Sequence, residues 1–183
     1  MRKIKLGVLG VGPRGECLLN TYSACPLVEI TAICDHAQGI AEGVAKKFFE
    51  ETGNHVKVYT DYEKMMRERD FEALFITVDP DLQVPIACDA MERGVHVMTE
   101  VPCCMSIEDC WKLVQTVEKT GMKYQLAEQT RYWYFIAEWR RMAAEGAFGK
   151  LLMVEGQYLH YEPSWDFSWI RKQNYMYKQV MVL

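Results

Sequence analysis

The chain has 183 residues, of which half are apolar and a quarter are charged, an ordinary composition for a globular protein. Its formal net charge of −4 provides no basic field, which argues against a nucleic-acid partner. No apolar run approaches the roughly 20 residues needed to cross a bilayer, and the run after the N-terminal charges is too short for a signal peptide. We therefore expect a cytoplasmic protein that binds neither nucleic acid nor membrane.

The first motif is a glycine-rich turn between a predicted strand and a predicted helix. The apolar run 4–9 leads into GVGPRG at 10–15, which has the G-x-G-x-x-G spacing. In dinucleotide-binding folds the first glycine permits a tight turn, the second lets the backbone approach a pyrophosphate, and the third lets the helix pack against the strand. The N–H groups at the helix start would face the phosphate charge. Alone, this spacing is a weak signal.

A carboxylate stands where a dinucleotide fold would use one. A second strand is predicted at 28–34, and Asp35 follows it, 20 residues after Gly15. In such folds this carboxylate binds the adenosine ribose hydroxyls. It would also repel a 2′-phosphate, so Asp35 favours NAD over NADP, although a charged His36 would weaken that preference. The alternative interpretation is that Asp35 only caps a helix that begins near Gln38.

The first two thirds of the chain alternate between strand-like and helix-like segments. Continuous apolar runs such as 73–78 are typical of strands covered on both faces. Thr60 and Ser106 are the predicted N-caps of the helices that follow them. This alternation implies right-handed crossovers and a parallel sheet, so we predict a doubly wound α/β (Rossmann) fold. The predicted strands are 4–9, 28–34, 56–59, 73–78, 95–99 and 123–127, and the predicted helices are 16–24, 40–51, 60–69, 81–93 and 107–119.

The pattern changes near residues 124–130. A helix is predicted at 132–145 and a long strand at 151–161, in a segment that holds four tryptophans. About 55 residues of this kind cannot easily close a core of their own. We therefore predict a dinucleotide-binding domain at 1–125, followed at 126–183 by the incomplete start of a C-terminal α+β domain for substrate binding and oligomerisation.

The seven cysteines include no C-x-x-C pair. Their number and their apolar surroundings favour buried free thiols in a reducing compartment. A metal site built from Cys103, Cys104 and histidines is the weaker alternative, because adjacent cysteine side chains point in different directions. We therefore predict no bound metal ion.

Taken together, these features resemble the Gfo/Idh/MocA family of NAD(P)-dependent oxidoreductases. The resemblance rests on residues 7–15, on Asp35, and on the segments 73–102 and 145–156. It implies NAD as the cofactor, with NADP less favoured, a carbohydrate-like small molecule as the substrate, and a homo-oligomer. The cofactor-binding residues expected from the motifs and from the resemblance are Gly10, Gly12, Pro13, Arg14, Gly15, Asp35, His36, Val78, Asp79, Gln83 and Glu100.

The chain departs from the family pattern at the ends of two predicted strands. The fifth strand of the family ends in Glu-Lys-Pro, whose lysine assists proton transfer, whereas this chain has Glu-Val-Pro at 100–102. Val101 has no proton to transfer, which argues against ordinary sugar dehydrogenation. At the fourth strand, the family's Thr-Pro and nearby histidine are replaced by Val78-Asp79 and Gln83.

The Glu-Val-Pro variant is most similar to a branch of the family that includes NAD-dependent glycoside hydrolases of the α-N-acetylgalactosaminidase type. Enzymes of that branch oxidise the sugar at C3, eliminate the aglycone, add water and reduce the product. They also use a tyrosine and a histidine from the second domain. The candidates here are Tyr132, Tyr158, His160 and Tyr161, each of which also suits a structural role, so the catalytic residues stay unassigned.

Family members are usually much longer, so the resemblance implies that the second domain is truncated. Three function classes stay open: an NAD(P)-dependent oxidoreductase acting on a sugar or polyol, an NAD-using glycoside hydrolase, and a nucleotide-binding module without turnover. Val101 argues against the first, its neighbours favour the second, and the short length favours the third. In all three cases we expect NAD at the glycine turn.

Overall fold

A computed structural model of the protein describes residues 2–157. The chain divides into two compact units, with the division between Ala127 and Glu128. None of the helices within residues 2–157 combines the length and the apolar character that a membrane span requires.

The first unit is a parallel sheet flanked by helices. Its strands are β1 (Ile4–Leu9), β2 (Val28–Cys34), β3 (Lys57–Tyr59), β4 (Ala73–Ile76), β5 (His96–Thr99) and β6 (Tyr124–Leu126). Its helices are α1 (Pro13–Ser23), α2 (Gln38–Thr52), α3 (Tyr62–Arg67), α4 (Pro80–Glu92) and α5 (Ile107–Thr120). The strand order is β3-β2-β1-β4-β5-β6, and every neighbouring pair is parallel. The order reverses beside β1, and open α/β sheets bind ligands at such a switch point.

Apolar side chains cover both faces of the sheet, because successive residues of a strand point to opposite sides. On β4, Leu74 and Ile76 belong to one cluster, and Phe75 belongs to the other. The first cluster includes residues of α3, α4 and α5, and the second includes residues of α1 and α2. This two-sided packing confirms the predicted doubly wound fold.

Local capping explains where the helices begin. Helix α1 starts at Pro13, earlier than the predicted residue 16, because proline suits a first turn whose N–H groups lack helical partners anyway. Ser106 caps α5 as predicted, and its Oγ accepts the backbone N–H three residues later at 3.1 Å. The prediction for α3 was wrong, because Asp61, rather than Thr60, is its N-cap and accepts the corresponding N–H at 2.8 Å.

The second unit contains a 3₁₀ helix at Gln129–Tyr132 and helix α6 at Tyr134–Ala144, near the predicted helix 132–145. Neither helix has a buried residue. The predicted strand at 151–161 is wrong over its described part, because residues 151–157 have no regular structure and are all exposed. A strand needs a neighbour to pair its backbone groups, and the described part of this unit contains no second strand. Residues 158–161 lie outside the described residues.

Candidate functional site

Two glycines make a tight joint between β1 and α1. Gly10 has a φ of +85°, and its N–H donates to the Cys34 carbonyl at 2.8 Å. A Cβ on Gly10 would lie 2.5 Å from the Thr77 carbonyl oxygen, and one on Gly15 would lie 2.1 Å from the Gly10 carbonyl oxygen. Both contacts are with backbone atoms, which cannot move aside easily. Packing alone therefore requires glycine at these two positions.

Gly12 differs from the other two glycines. It is the N-cap residue of α1, and a Cβ built on it would have nothing within 4 Å. No side chain in the described part of the chain caps the first turn of α1. Since the free N–H groups of a helix start attract anions, the space beside Gly12 is one that a phosphate could occupy. Internal packing therefore does not require glycine at position 12, whereas keeping this space open does.

Asp35 joins the end of β2 to the glycine turn. The residue is 8% exposed, and its Oδ2 accepts the Val11 N–H at 3.0 Å while Oδ1 accepts the Ala37 N–H at 3.0 Å. The N-cap of α2 is Ala37, which makes no side-chain cap. The alternative interpretation, in which Asp35 only caps α2, is therefore wrong, because Asp35 is not the N-cap of that helix. It orients the loop that carries Gly12.

The negative charge around Asp35 is only partly offset by a neighbouring histidine. His36 is almost fully exposed, and its Nδ1 lies 3.4 Å from Asp35 Oδ1. The thiol of Cys34, which precedes Asp35, has its pKa raised to about 12, first by burial and then by the negative charges of Asp35 and Asp61. This edge of the sheet therefore disfavours additional negative charge, such as a 2′-phosphate, unless His36 is protonated.

Arg14 connects the glycine turn to the end of β5. Its Nη2 lies 2.8 Å and its Nε 3.2 Å from Glu100 Oε1, and Glu100 Oε2 accepts the Val101 N–H at 3.1 Å. Glu100 is buried, whereas the Arg14 side chain is 46% exposed. Tyr22 lies nearby, with its pKa raised to about 12 by burial first and then by the Glu100 charge. The ion pair thus joins the glycine turn to the residues that follow β5, both of which are predicted to bind the cofactor.

The cofactor-binding residues predicted after β4 differ in exposure: Val78 and Asp79 are accessible, whereas Gln83 is buried. Val78 borders the turn, since its Cγ1 would lie 3.1 Å from a Cβ on Gly10. Asp79 is exposed at the start of α4 and makes no side-chain cap. Gln83 is only 1% exposed, and its Nε2 donates to the Pro102 carbonyl at 3.3 Å. Its Oε1 has no hydrogen-bond partner among the described residues. Through its contact with Pro102, Gln83 supports the segment that follows β5.

The positions considered for catalysis belong to different parts of the chain. Val101 is 39% exposed, and it is joined to Pro102 by a cis peptide bond. Tyr132 belongs to the second unit and is 65% exposed, with the Arg131 guanidinium 5.2 Å from its ring centroid. The remaining candidates, Tyr158, His160 and Tyr161, lie outside the described residues.

The cysteines differ from the expectation of buried thiols. Only Cys34 and Cys88 are buried. The sulfurs of Cys103 and Cys104 are 3.2 Å apart, so the two adjacent side chains point to the same place and not in different directions. Within residues 2–157, no group of three or more histidine, cysteine or acidic side chains is arranged to hold a metal ion.

Sequence reasoning missed two features of the site. It gave no indication that Arg14 and Glu100 pair, because they are 86 residues apart and only the folded sheet brings them together. It also gave no role to Val11, whose N–H binds Asp35. The position of Val11 between the first two glycines of the motif was the available signal.

The described residues fit a dinucleotide. The open surface at Gly12 lies at the start of a helix without a side-chain cap, and the carboxylate of Asp35 is held beside the same loop. The first can receive a pyrophosphate and the second can accept ribose hydroxyls. Both lie at the carboxyl edge of the parallel strands.

Comparisons with known proteins agree with this geometry. The sequence model of the Gfo/Idh/MocA oxidoreductase family, described as an NAD-binding Rossmann fold, matches residues 4–128. The chain is 37% identical over 161 residues to glycosyl hydrolase family 109 protein 2 of Bacteroides fragilis, covering 86% of this chain and 38% of that protein. It is 36% identical over 161 residues to an α-N-acetylgalactosaminidase of another strain of that species, with the same coverage. The chain thus spans 38% of the length of these curated relatives.

Solved structures show the same fold at lower sequence identity. The WlbA dehydrogenase of Bordetella pertussis, in complex with NADH and UDP-GlcNAcA, superposes with a TM-score of 0.70 at 21% identity over 81% of this chain and 44% of that chain. The scyllo-inositol dehydrogenase of Lactobacillus casei superposes with a TM-score of 0.72 at 21% identity, over 81% of this chain and 43% of that one. At these identities the likeness concerns the fold.

Proposed function

This chain belongs to the Gfo/Idh/MocA family of oxidoreductases with an NAD-binding Rossmann fold, and we propose that it binds NAD where β1 and β2 end. One observation carries the assignment: the carboxylate of Asp35 is fixed beside an open glycine, Gly12, at an uncapped helix start. In this arrangement the N–H groups of the first turn of α1 bind the pyrophosphate, and Asp35 binds the adenosine ribose.

The remaining residues shape the site in distinct ways. Val78 borders the turn, Asp79 is exposed at the start of α4, and Pro13 begins the helix whose N-terminus faces the phosphates. Arg14 is held by Glu100, so its charge is fixed near the phosphates without being free to swing. His36, exposed beside Asp35, reduces the discrimination against NADP when it is protonated.

The first experiment is a calorimetric titration of NAD and NADP into the wild type and Asp35→Asn. Asparagine keeps the shape and one acceptor oxygen, so one of the two backbone N–H contacts of Asp35 is kept while the other contact and the charge are lost. Charge-assisted hydrogen bonds contribute about 1.5–3 kcal/mol each, so NAD should bind roughly ten- to a hundredfold more weakly. The preference for NAD over NADP should narrow at the same time.

Asp70→Ala is the matched control. Asp70 is an exposed carboxylate that precedes β4, at the opposite edge of the sheet from Asp35, with its Oδ2 3.9 Å from Lys5 Nζ and 3.7 Å from Lys57 Nζ. Its removal should leave both nucleotide affinities unchanged. Equal NAD affinity in the wild type and Asp35→Asn would contradict the ribose assignment.

We further propose that the substrate is a carbohydrate or polyol. The curated relatives are glycoside hydrolases by name, and one of the similar structures holds a UDP-sugar derivative. Bound NAD supplies an acceptor for the hydride of a sugar carbon. The chain's own contribution near β5 is the carboxylate of Glu100, which is paired with Arg14, and the apolar side chain of Val101. Val101 cannot donate a proton to the reacting oxygen, so any acid or base must come from another residue.

The names of the curated relatives favour a second candidate, the glycoside hydrolase route, and Val101 argues against the first. A net dehydrogenase releases reduced cofactor, whereas the hydrolase oxidises and then reduces the same sugar and leaves the cofactor unchanged overall. We would add NAD and 4-nitrophenyl α-N-acetylgalactosaminide or free sugars, and follow absorbance of the reduced nicotinamide and of nitrophenol. Reduced cofactor that accumulates supports the dehydrogenase, and nitrophenol without it supports the hydrolase. If NAD binds but neither product forms, the chain is a nucleotide-binding module without turnover.

The domain division, self-association and location complete the proposal. We assign cofactor binding to 1–125 and the start of the substrate and oligomerisation domain to 126–183.

The described part of the second segment exposes apolar side chains, including Trp139 and Leu152, which favours a homo-oligomer. Analytical ultracentrifugation over a hundredfold dilution tests this assignment, and a monomer throughout would contradict it. The free thiols suit a cytoplasmic location.

A further inference from the structure

Two adjacent cysteines bring their sulfurs together directly beyond β5. Cys103 and Cys104 follow Pro102, and their sulfurs are 3.2 Å apart. Both residues are only partly buried, so neither is closed off from solvent. Cys104 also packs against the core cluster that includes residues of α3, α4 and α5, which limits its movement. The cofactor site proposed above uses neither thiol.

The short separation does not lead readily to a disulfide. That bond requires the two sulfurs to approach to about 2.05 Å, and disulfide-bonded residues usually have Cα atoms about 4.4–6.8 Å apart. Residues joined by a trans peptide have Cα atoms only about 3.8 Å apart. Direct bonding of Cys103 to Cys104 would therefore strain the chain, whereas an atom that bridges the two sulfurs does not require them to approach so closely.

The separation also selects among bridging atoms. Around a tetrahedral zinc ion with Zn–S bonds of about 2.3 Å, two thiolate sulfurs lie about 3.8 Å apart. Trivalent arsenic forms its three bonds at angles close to a right angle, so the sulfurs that it binds lie closer together than they do around zinc. Linear two-coordinate mercury holds its sulfurs on opposite sides and therefore farther apart. The 3.2 Å between the Cys103 and Cys104 sulfurs fits arsenic best.

The protonation of the pair favours the same ligand. Burial, more than any other cause, raises the pKa of the Cys104 thiol, so this thiol stays protonated at neutral pH. Zinc binds thiolates and must displace that proton. A hydrated arsenical instead carries hydroxyl groups that leave as water with the thiol hydrogens. Its binding therefore does not require a stable thiolate.

The number of available sulfurs selects the kind of arsenical. In the part of the chain that the structure describes, no group of three or more histidine, cysteine or acidic side chains is arranged to hold a metal ion. Zinc sites in proteins have three or four protein ligands, and arsenic without a carbon substituent has three positions for sulfur. An arsenical with one carbon substituent has only two such positions, which matches Cys103 and Cys104.

We propose that Cys103 and Cys104 form a vicinal dithiol site for trivalent arsenicals that carry one carbon substituent. Each S–H bond breaks as an S–As bond forms, and each As–OH group of the hydrated arsenical leaves as water with the thiol hydrogen. Two thiols and one arsenical thus give one cyclic arsenic dithiolate and two waters, and no atom is oxidised or reduced. The inference does not depend on whether the chain binds NAD.

The test adds phenylarsine oxide to the full chain in the presence of a phosphine reductant, because a dithiol reductant would compete. We expect intact mass spectrometry to find one phenylarsenic group per chain, with two hydrogen atoms lost. Digestion with a protease that cleaves after glutamate should place this group on residues 101–108, which hold both cysteines. Dimercaptopropanol should remove it at concentrations at which the monothiol mercaptoethanol does not. No adduct, or an adduct on another peptide, would overturn the proposal.

Serine variants test whether both sulfurs are needed. Cys103→Ser and Cys104→Ser each leave a single thiol, so the loss of the second bond should weaken binding roughly a hundredfold or more. Because Cys104 packs against the core cluster, circular dichroism checks that its variant is folded, and Cys103→Ser decides the question if it is not. Cys110→Ser and Cys17→Ser change exposed cysteines and are the matched controls, which should bind like the wild type. Wild-type affinity in Cys103→Ser, or its loss in Cys110→Ser, would refute the assignment.

Discussion

At the residue scale, the contact between Arg14 and Glu100 is the feature that defines the site most sharply. The family resemblance pointed to Glu100 as a cofactor-binding position, but its partner lies in the glycine turn. The carboxylate is buried and accepts donors on both oxygens, so it is held rigidly. A residue chosen for its place in a tripeptide motif therefore also connects β5 to α1. Sequence spacing cannot reveal such a link, because it depends on the order of the strands.

We predict that Arg14→Ala lowers the free energy of unfolding. Glu100 would retain only the Val101 N–H among the contacts described above, and a buried charge that loses its partner is costly. Because the Arg14 side chain is 46% exposed, water can compensate in part, so we expect a loss of about 1–2 kcal/mol. Urea unfolding followed by circular dichroism measures the difference.

Lys119→Ala is the control for Arg14→Ala. Lys119 Nζ lies 2.8 Å from Glu92 Oε1, but the two side chains are 72% and 50% exposed. Surface pairs of this kind contribute little, so this variant should unfold like the wild type. If the two variants had the same free energy of unfolding, the Arg14–Glu100 pair would not contribute to stability, and water would hydrogen-bond to Glu100 instead.

At the element scale, the turn between β1 and α1 separates two reasons for glycine that the sequence motif merges. Gly15 is required by the backbone of Gly10, whereas Gly12 faces open space. The motif predicted the position of the turn correctly, as it predicted Ser106 as the cap of α5. It could not predict that α1 begins within the motif or that Asp61 replaces Thr60 as a cap, because neighbouring polar residues can exchange these roles.

We predict that Gly12→Ala folds like the wild type but binds NAD at least tenfold more weakly, because the methyl group occupies the space that the pyrophosphate needs. Gly15→Ala should instead be destabilised, since its Cβ would lie 2.1 Å from the Gly10 oxygen. Thermal unfolding and NAD titration of the two variants separate the effects.

Gly43→Ala completes this comparison. Gly43 lies within α2, and a Cβ there meets nothing within 4 Å. Alanine at such a helical position should raise stability by about 0.5–1 kcal/mol without changing NAD affinity. If Gly12→Ala bound NAD as tightly as Gly43→Ala does, the pyrophosphate would not lie beside Gly12.

At the scale of the whole molecule, the two units differ in how far the sequence could predict them. The alternating strand and helix patterns of the first two thirds reflect a core that lies within one unit, so the parallel sheet and the doubly wound fold could be inferred from the sequence of elements. Both apolar clusters lie within residues 2–127. In the second unit, neither described helix has a buried residue. A strand predicted there from apolar character alone therefore lacked the partner that would have justified it.

This difference predicts that residues 1–127 fold and bind NAD without the rest of the chain. The boundary follows from the sheet, because β6 pairs with β5 and the Ala127 N–H donates to the Thr99 carbonyl at 2.9 Å. The fragment should match the full chain in urea midpoint and in NAD affinity. A fragment that ends at residue 122 lacks β6 and should be less stable, since it exposes the edge of β5. If the 1–127 fragment were unfolded, the second unit would contribute essential contacts, and the proposed division into domains would be wrong.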